Sequence, residues 1–494
     1  MTNNISNKFF ISFFILISIF YFVSINRYPV FWMDEAWDVS VAWSFIKTGI
    51  FGNPTYPIDG LDRVFFLHPP LPILLIAPFI KFIGINPFTI KFLPLLCALG
   101  SILFLYLFIQ RIFDAKTAFL SSIFLAVNPL FFLMSRQLRP EIFVTFFTIL
   151  SFYLFSIAKE KKNLLFYFLI GISSALSFLS HYYGAFLIGA FGLYLLFECL
   201  KTKSKLAIKT LLIFCLGVIL VIFPFFIWVF RNFEIFKIQF LGNVPNLTGL
   251  QQIVNSFIKE QERYLKYPKA LGLMLFTFWG LFLYWKDIFK KMPEILIFIF
   301  VYLFGLALFM PNKTLIYLTP ILFITSLCGA LLLARSVNLV KGKLKFLIKA
   351  SGIVFLFISI FYIINPRNLS AYFKTISFKE LNYHFSALIE KYYLNGKIVG
   401  DPTYFLFLKD AQKEKFLSEH VIRRWLKENE INQVFKKENI NIFVYSPYWW
   451  KDQCKDTKSI CDNLENFLKN QGVPLGQIER NASLVDYVYL INND

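Results

Sequence analysis

AIKTLLIFCLGVILVIFPFFIWVF occupies residues 207–230 and carries one charge, Lys209, near its start. Twenty or so apolar residues wound as a helix, at about 1.5 Å each, cross the ~30 Å hydrocarbon core of a bilayer. Just before it stands Lys201-Thr-Lys-Ser-Lys205. An apolar run behind a short basic cluster is the pattern of a membrane span entered from the cytoplasmic side. Ten more runs read the same way: 9–23, 88–110, 117–135, 141–158, 163–181, 184–200, 269–285, 293–310, 315–335 and 344–364.

Composition agrees. Of 494 residues, 57% are apolar, 20% aromatic and 16% charged. Soluble domains run near 25% charged and about 45–50% apolar. A chain with 64 Phe cannot clothe itself for water. Disorder, a coiled coil and a soluble enzyme are thereby excluded. The net charge of +20 does not mark a nucleic-acid binder. Residues 365–494 hold 18 Lys+Arg and 16 Asp+Glu, so the excess lies in the preceding residues, at 32 against 14. It is gathered in 159–162 (KEKK), 201–205 (KTKSK), 286–291 (KDIFKK) and 341–345 (KGKLK), with 111–116 (RIFDAK) beside them. These are cytoplasmic loops by the positive-inside rule.

Parity then places 26–69, 134–142, 180–184, 231–268, 310–314 and everything after 365 outside. The Pro-rich run 70–84 is too short to cross and is expected to lie at the interface or re-enter. The expected architecture is an α-helical polytopic membrane protein of about eleven spans. Residues 1–367 form the membrane domain, with the N-terminus cytoplasmic. Residues 368–494 form a small extracytoplasmic α/β domain. In that domain 398–402, 440–445 and 485–491 read as strands, and 416–433 and 462–470 as helices. Cys454 and Cys461 are spaced to pair in an oxidising compartment.

Chemistry gathers at one membrane edge. Asp34 and Glu35 follow the first span, among large aromatics. Arg136, Arg139 and Glu141 lie in SRQLRPE (135–141). Lys313 and Tyr317 open a later span. His68 precedes two prolines at the short run. Each has a plainer reading: an interfacial loop, a helix-capping Glu141, a snorkelling Lys313, a turn at His68. Capping does not account for two arginines at a helix N-terminus. Together, carboxylates and cations suit transfer from a lipid phosphate. Cations hold the phosphate as it leaves, and a carboxylate takes the proton of the attacking hydroxyl. A transporter or flippase of a lipid-linked or anionic substrate is the alternative, but it would carry charge at mid-span in repeated halves.

The set DEAWD (34–38), HPPL (68–71), SRQLRPE (135–141) and K-x-x-x-Y-x-x-P (313–320) resembles the GT-C integral-membrane glycosyltransferases. Within them it is similar to the protein O-mannosyltransferase and aminoarabinose-transferase group, over about residues 1–335. The resemblance implies a polyprenyl-phosphate sugar donor, an extracytoplasmic site, and an acceptor that is a glycolipid, glycan or protein. It makes Asp34 the acid/base, with Glu35 and Glu141 as supporting carboxylates. Arg136, Arg139, Lys313, Tyr317 and His68 would serve the donor phosphate. Trp37 departs from the pattern, which has a smaller aromatic there. No cofactor is implied with certainty. Carboxylates can hold a divalent ion, but no committed ligand set is visible. The expected setting is the plasma membrane, with lipids and no nucleic acid as partners.

Overall fold

The computed structural model describes residues 2–23, 25–26, 29, 31–241, 249–310, 313–335, 343–364, 378–392, 396–426, 430–447, 450, 458–481 and 484–491. Its helices are α1 (Thr2–Phe22), α2 (Met33–Thr48), α3 (Leu71–Ile83), α4 (Pro87–Ile112), α5 (Ala115–Ala126), α6 (Pro129–Met134), α7 (Pro140–Lys161) and α8 (Leu164–Ser180). They continue as α9 (Ala185–Thr202), α10 (Lys205–Arg231), α11 (Phe233–Phe236), α12 (Leu250–Lys266), α13 (Pro268–Lys291), α14 (Pro293–Phe309), α15 (Leu322–Ala334) and α16 (Lys343–Ile364). Many starts are written locally. Asp114 accepts from the Thr117 amide at 2.8 Å, Asn163 from Leu165 at 2.9 Å and Ser204 from Ala207 at 3.1 Å, each filling an orphan donor of a first turn.

Among the described residues six helices are long and apolar enough to cross a membrane, and six apolar helices are shorter. The chain is a multi-pass α-helical membrane protein. The expected run 117–135 is not one helix. Asn128 caps the Leu130 and Phe131 amides and Pro129 starts a new helix, so α5 and α6 are separate. The run 315–335 begins as a 3-10 turn, Leu315–Ile321, before α15.

Two compact units emerge: Met1–Val23, Phe66–Pro72 and Phe92–Asn368 form the first; Ser24–Phe65, Ile73–Lys91 and Leu369–Asp494 form the second. The domain boundary expected at 367/368 lies outside the described residues.

In the first unit, glycine brings backbones together. A methyl at Gly171 of α8 would strike the Phe214 carbonyl of α10, and one at Gly217 would strike the Phe168 carbonyl. Without a hydrophobic drive between helices in lipid, such close approach supplies the packing. Thr277 and Thr325 join α13 to α15 at 2.7 Å. The phenylalanines fill the rest. Phe152 of α7 meets Phe191, Phe298 and Phe323, on α9, α14 and α15, at 5.1, 5.4 and 5.2 Å between ring centroids.

The second unit joins α2 and its following loop to the C-terminal α/β domain. The sheet has the order β2-β1-β3-β5-β4, from β1 (Lys397–Gly400), β2 (Phe416–Ser418), β3 (Ile440–Tyr445), β4 (Gly472–Asn481) and β5 (Leu484–Ile491). β1 runs parallel to β2 and β3; β5 runs antiparallel to β3 and β4. Val399, Ile422, Phe435, Phe443, Trp450 and Leu464 make its core.

Three strands stand where the sequence placed them. The helix expected over 416–433 does not form as one piece. Residues 416–418 pair with β1, and Ser418 then caps the His420 amide at 3.3 Å to start a helix over Glu419–Trp425. β4 was not expected. Pro474 and Gly476 disguise it, and both are tolerable because it is an edge strand. Cys461 is buried in this core. Its expected partner Cys454 lies outside the described residues, and so does the pairing. Cys97, Cys199, Cys215 and Cys328 are free.

Candidate active site

In the first unit the site begins at the N-terminus of α7. Pro140 occupies the first helical position, where its missing amide costs nothing, and Glu141 sits in the first turn near the positive end of the dipole. Glu141 is 1% exposed. A carboxylate there needs a counter-charge. Arg139 supplies it as a fork, Nε to Oε2 and Nη2 to Oε1, both at 3.2 Å.

His181 lies close enough to Glu141 for their charges to interact. It ends α8 and accepts the Tyr183 amide on Nδ1 at 3.3 Å. Its ring stands 6.0 Å from that of His68, 5.7 Å from Tyr317 and 4.1 Å from Tyr183. These rings wall a cavity of about 620 Å³, with Tyr182, Gln239 and an apolar remainder including Phe178, Phe186 and Phe309. Tyr182 donates to the Phe66 carbonyl at 2.7 Å, and Gln239 accepts the Phe66 amide at 2.7 Å, fixing the segment that carries His68. The Tyr183 hydroxyl is buried and finds no hydrogen-bond partner among the described residues.

Behind Tyr317 lies a second charged group. Arg263 of α12 is fully buried, bound to Glu260 at 2.6 Å and to the Thr314 carbonyl, and sits 5.9 Å from the Tyr317 ring. Lys313 reaches Glu260 at 3.2 Å and donates to the Ala307 and Leu306 carbonyls at 2.8 and 3.3 Å, closing the end of α14. Burial holds its ammonium below the usual lysine range, with Glu260 opposing. Arg136 is likewise engaged. Its guanidinium donates to the carbonyl of Tyr21 at 2.6 Å and to that of Val23, finishing α1.

Asp34 and Glu35 lie in the second unit, on the first turn of α2. Glu35 is fully buried and turns back to accept the Trp32 amide at 2.8 Å. Asp34 is half-buried. One turn on, Trp37 meets Tyr56 at a tilt and His420 edgewise, each at 5.6 Å between centroids. Burial pushes the His420 imidazole down to about 4, with Asp401 opposing, Arg423 adding, and Asp34 also opposing. The loop after α2 is bolted to the α/β domain. The Ser418 amide donates to the Thr55 carbonyl at 2.9 Å, Arg424 grips Asp59 at 2.6 Å, and Asp410 accepts from Trp43 at 3.1 Å and Lys47 at 2.5 Å.

The structure thus gathers Glu141, Arg139, His68 and Tyr317 with His181 and Tyr183. It attaches Lys313 through Glu260 and sets Arg136 at the end of α1. His181, Tyr183, Arg263 and His420 were not singled out from the sequence. A histidine and two tyrosines in succession at the end of an apolar run were the available signal for the first two. Among the described residues no group of three or more His, Cys, Asp or Glu side chains is placed to hold a metal ion.

Comparison with known proteins follows this geometry. Residues 67–228 match the family described as Dolichyl-phosphate-mannose-protein mannosyltransferase. A protein of Aquifex aeolicus (strain VF5) is 30% identical over 216 residues, 42% of this chain and 42% of that protein, so the match spans under half of the relative's length. Among solved structures, ArnT from Cupriavidus metallidurans in the apo state superposes with a TM-score of 0.62 at 12% identity, over 100% of this chain and 99% of that one. The same protein bound to undecaprenyl phosphate gives 0.57 at 11%, over 98% and 97%. The Archaeoglobus fulgidus oligosaccharyltransferase gives 0.57 at 15%, over 94% and 71%. The fold is the GT-C fold. The resemblance read from the motifs therefore holds. Within this chain the family match takes in His68, Arg136, Arg139, Glu141, His181 and Tyr183. It leaves Asp34, Glu35, Lys313 and Tyr317 outside.

Proposed function

We propose that this chain is a membrane glycosyltransferase that moves a sugar from a polyprenyl-phosphate donor to a hydroxyl of an acceptor outside the plasma membrane. The acceptor class is a glycolipid, glycan or protein. The observation that carries the reading is the cavity of the first unit. It joins a large apolar wall to convergent polar groups, His68, His181, Tyr183 and Tyr317. That mixture suits a sugar phosphate on a hydrocarbon tail.

The residues divide the reaction as follows. Asp34 takes the proton of the acceptor hydroxyl as its oxygen bonds to the sugar's anomeric carbon. The bond from that carbon to the phosphate oxygen breaks, and the electron pair leaves with the polyprenyl phosphate. Arg139 and the Tyr183 hydroxyl meet the charge that grows there, where donors set in advance contribute most. Glu141 holds Arg139 in place. Glu35, Arg136 and Lys313 stabilise helix ends. This reassigns Arg136 and Lys313 from phosphate binding to support, because backbone carbonyls engage both. Charge at span ends, tied into ion pairs, favours this reading over a transporter.

The test is to incubate the purified protein with a panel of polyprenyl-phosphate sugars and an acceptor extract, and to measure released polyprenyl phosphate. Release that is abolished in Asp34→Asn supports the reading. No release from any donor, with sugar-lipid carried across vesicles instead, would replace it by the transporter.

A further inference from the structure

The helix α12 is amphipathic in the wrong sense for a water-facing element. Its inward stripe is polar: Ser256 and Arg263, both buried, with the partly buried Glu260 between them, at spacings of four and three. The Ser256 hydroxyl donates to the Ala307 carbonyl at 2.8 Å, and Glu260 pairs with Arg263 and Lys313 as described above. The opposite face is apolar and uncovered. Leu250 is 78% exposed, Ile258 56% and Leu265 77%. With Lys259, Glu260, Glu262, Arg263 and Lys266 in 17 residues, α12 is too charged to cross a bilayer.

What meets that face is shown by its neighbours. α13 follows directly and likewise exposes large apolar side chains, Leu271, Leu275, Phe278 and Phe282, on a helix long and apolar enough to span. Phe257 packs on Phe304 of α14 at 5.2 Å, and both line an open groove of about 700 Å³. That groove runs between α13 and α14 and is lined by apolar side chains, Phe278, Phe282 and Phe300 among them. Lys259 and Lys266 stand exposed beside the apolar face, where anionic headgroups would meet them.

We infer that α12 lies in the plane of the membrane surface, its Leu250–Ile258–Leu265 face against lipid acyl chains and its polar face turned into the protein. The inference does not depend on the proposed reaction. It bears on the cavity all the same, because Arg263 and Glu260 hold the backbone beside Tyr317.

Hydroxyl-radical footprinting of the full-length protein in phosphatidylcholine–phosphatidylglycerol nanodiscs tests it. Both membrane faces are then open to the radical. Val473 and Tyr487, 46% and 41% exposed on the α/β domain, are the internal standards. After correction for intrinsic reactivity, Ile258 and Leu265 should be oxidised about tenfold less than these standards, because lipid covers them. In a lipid-free amphiphilic polymer of short chains, spin-labelled lipid added back should restore the shielding and quench a probe placed at 258. Oxidation of Ile258 and Leu265 at the rate of the standards in nanodiscs would overturn the inference. So would strong protection without quenching by the spin-labelled lipid, since protein and not lipid would then cover the face.

Discussion

Removing Arg139 should leave Glu141 as a buried anion without its fork. Two contacts of 3.2 Å join the pair, and their side chains are 12% and 1% exposed. At an effective dielectric constant of about 20, unit charges at that distance attract by roughly 5 kcal/mol. Breaking one side of a buried pair typically costs about 3–5 kcal/mol, because the other charge stays desolvated. Arg139→Ala should therefore lower the unfolding midpoint by on the order of 5 °C for a chain of this size. Glu141→Gln combined with Arg139→Ala removes the stranded charge and should return at least about 2 kcal/mol of the loss. Activity should not return with it. On the proposed role of Arg139 the double variant still lacks a cation for the leaving phosphate, so turnover should stay about 10²–10³-fold down. Thermal unfolding in nanodiscs and polyprenyl-phosphate release, measured on the same preparations, separate the two effects. Equal midpoints for wild type and Arg139→Ala, or a double variant no more stable than Arg139→Ala, would refute the reasoning about the pair. Restored turnover in the double variant would refute the phosphate role.

Asp34→Asn keeps side-chain volume and removes a proton acceptor. Release should slow by about 10²–10⁴-fold while donor affinity, read by equilibrium binding of a labelled donor, is unchanged. Tyr183→Phe deletes a buried hydroxyl that has no partner among the described residues, so thermal stability should hold or rise slightly. The donor KM should rise, and an unchanged KM would remove Tyr183 from the donor site. His420 is held down to about 4 by burial, below its usual 6.5, among Asp401, Arg423 and Asp34. The unfolded chain then binds the extra proton between those values, so stability of the second unit is full above about pH 6.5 and falls as pH drops toward 4, by up to about 3 kcal/mol. His420→Gln should flatten that part of a denaturation profile taken from pH 7 to 4, and an unaltered slope would show that other groups set it.

The spans were legible because the bilayer enforces a simple rule, and α4, α7, α10 and α13 lie within a few residues of where apolar length placed them. Asn128-Pro129 was also legible in principle, as a cap followed by a helix-starting proline. What could not be read was the use of each charge. Arg136 and Arg139 stand three positions apart in one motif, yet one finishes α1 while the other serves Glu141. Nothing local distinguishes them, because the partners of Arg136 are carbonyls more than a hundred positions away. Arg263 and Glu260 were hidden for the same reason, because their partners Thr314 and Lys313 lie about fifty positions further along the chain. In the tail, hydrophobic alternation marked β3 and β5, whereas β4 hid behind proline and glycine that its edge position permits.

The bolts between the loop after α2 and the α/β domain have a consequence for how the protein is made. Thr55 waits for Ser418, Asp59 for Arg424, and Trp43 and Lys47 for Asp410. At synthesis rates of about 5–20 residues per second, those partners leave the ribosome on the order of 20–70 s after the segment they fasten. Nearly every helix of the first unit has been threaded by then. Contacts of such long sequence separation form late, after their loop-closure entropy has been met. The turn that carries Asp34 thus reaches its final setting only after residues 410–424 have been made. A chain cut short near residue 395 would insert its spans yet leave the turn of Asp34 without the contacts that Ser418, Arg424 and Asp410 supply.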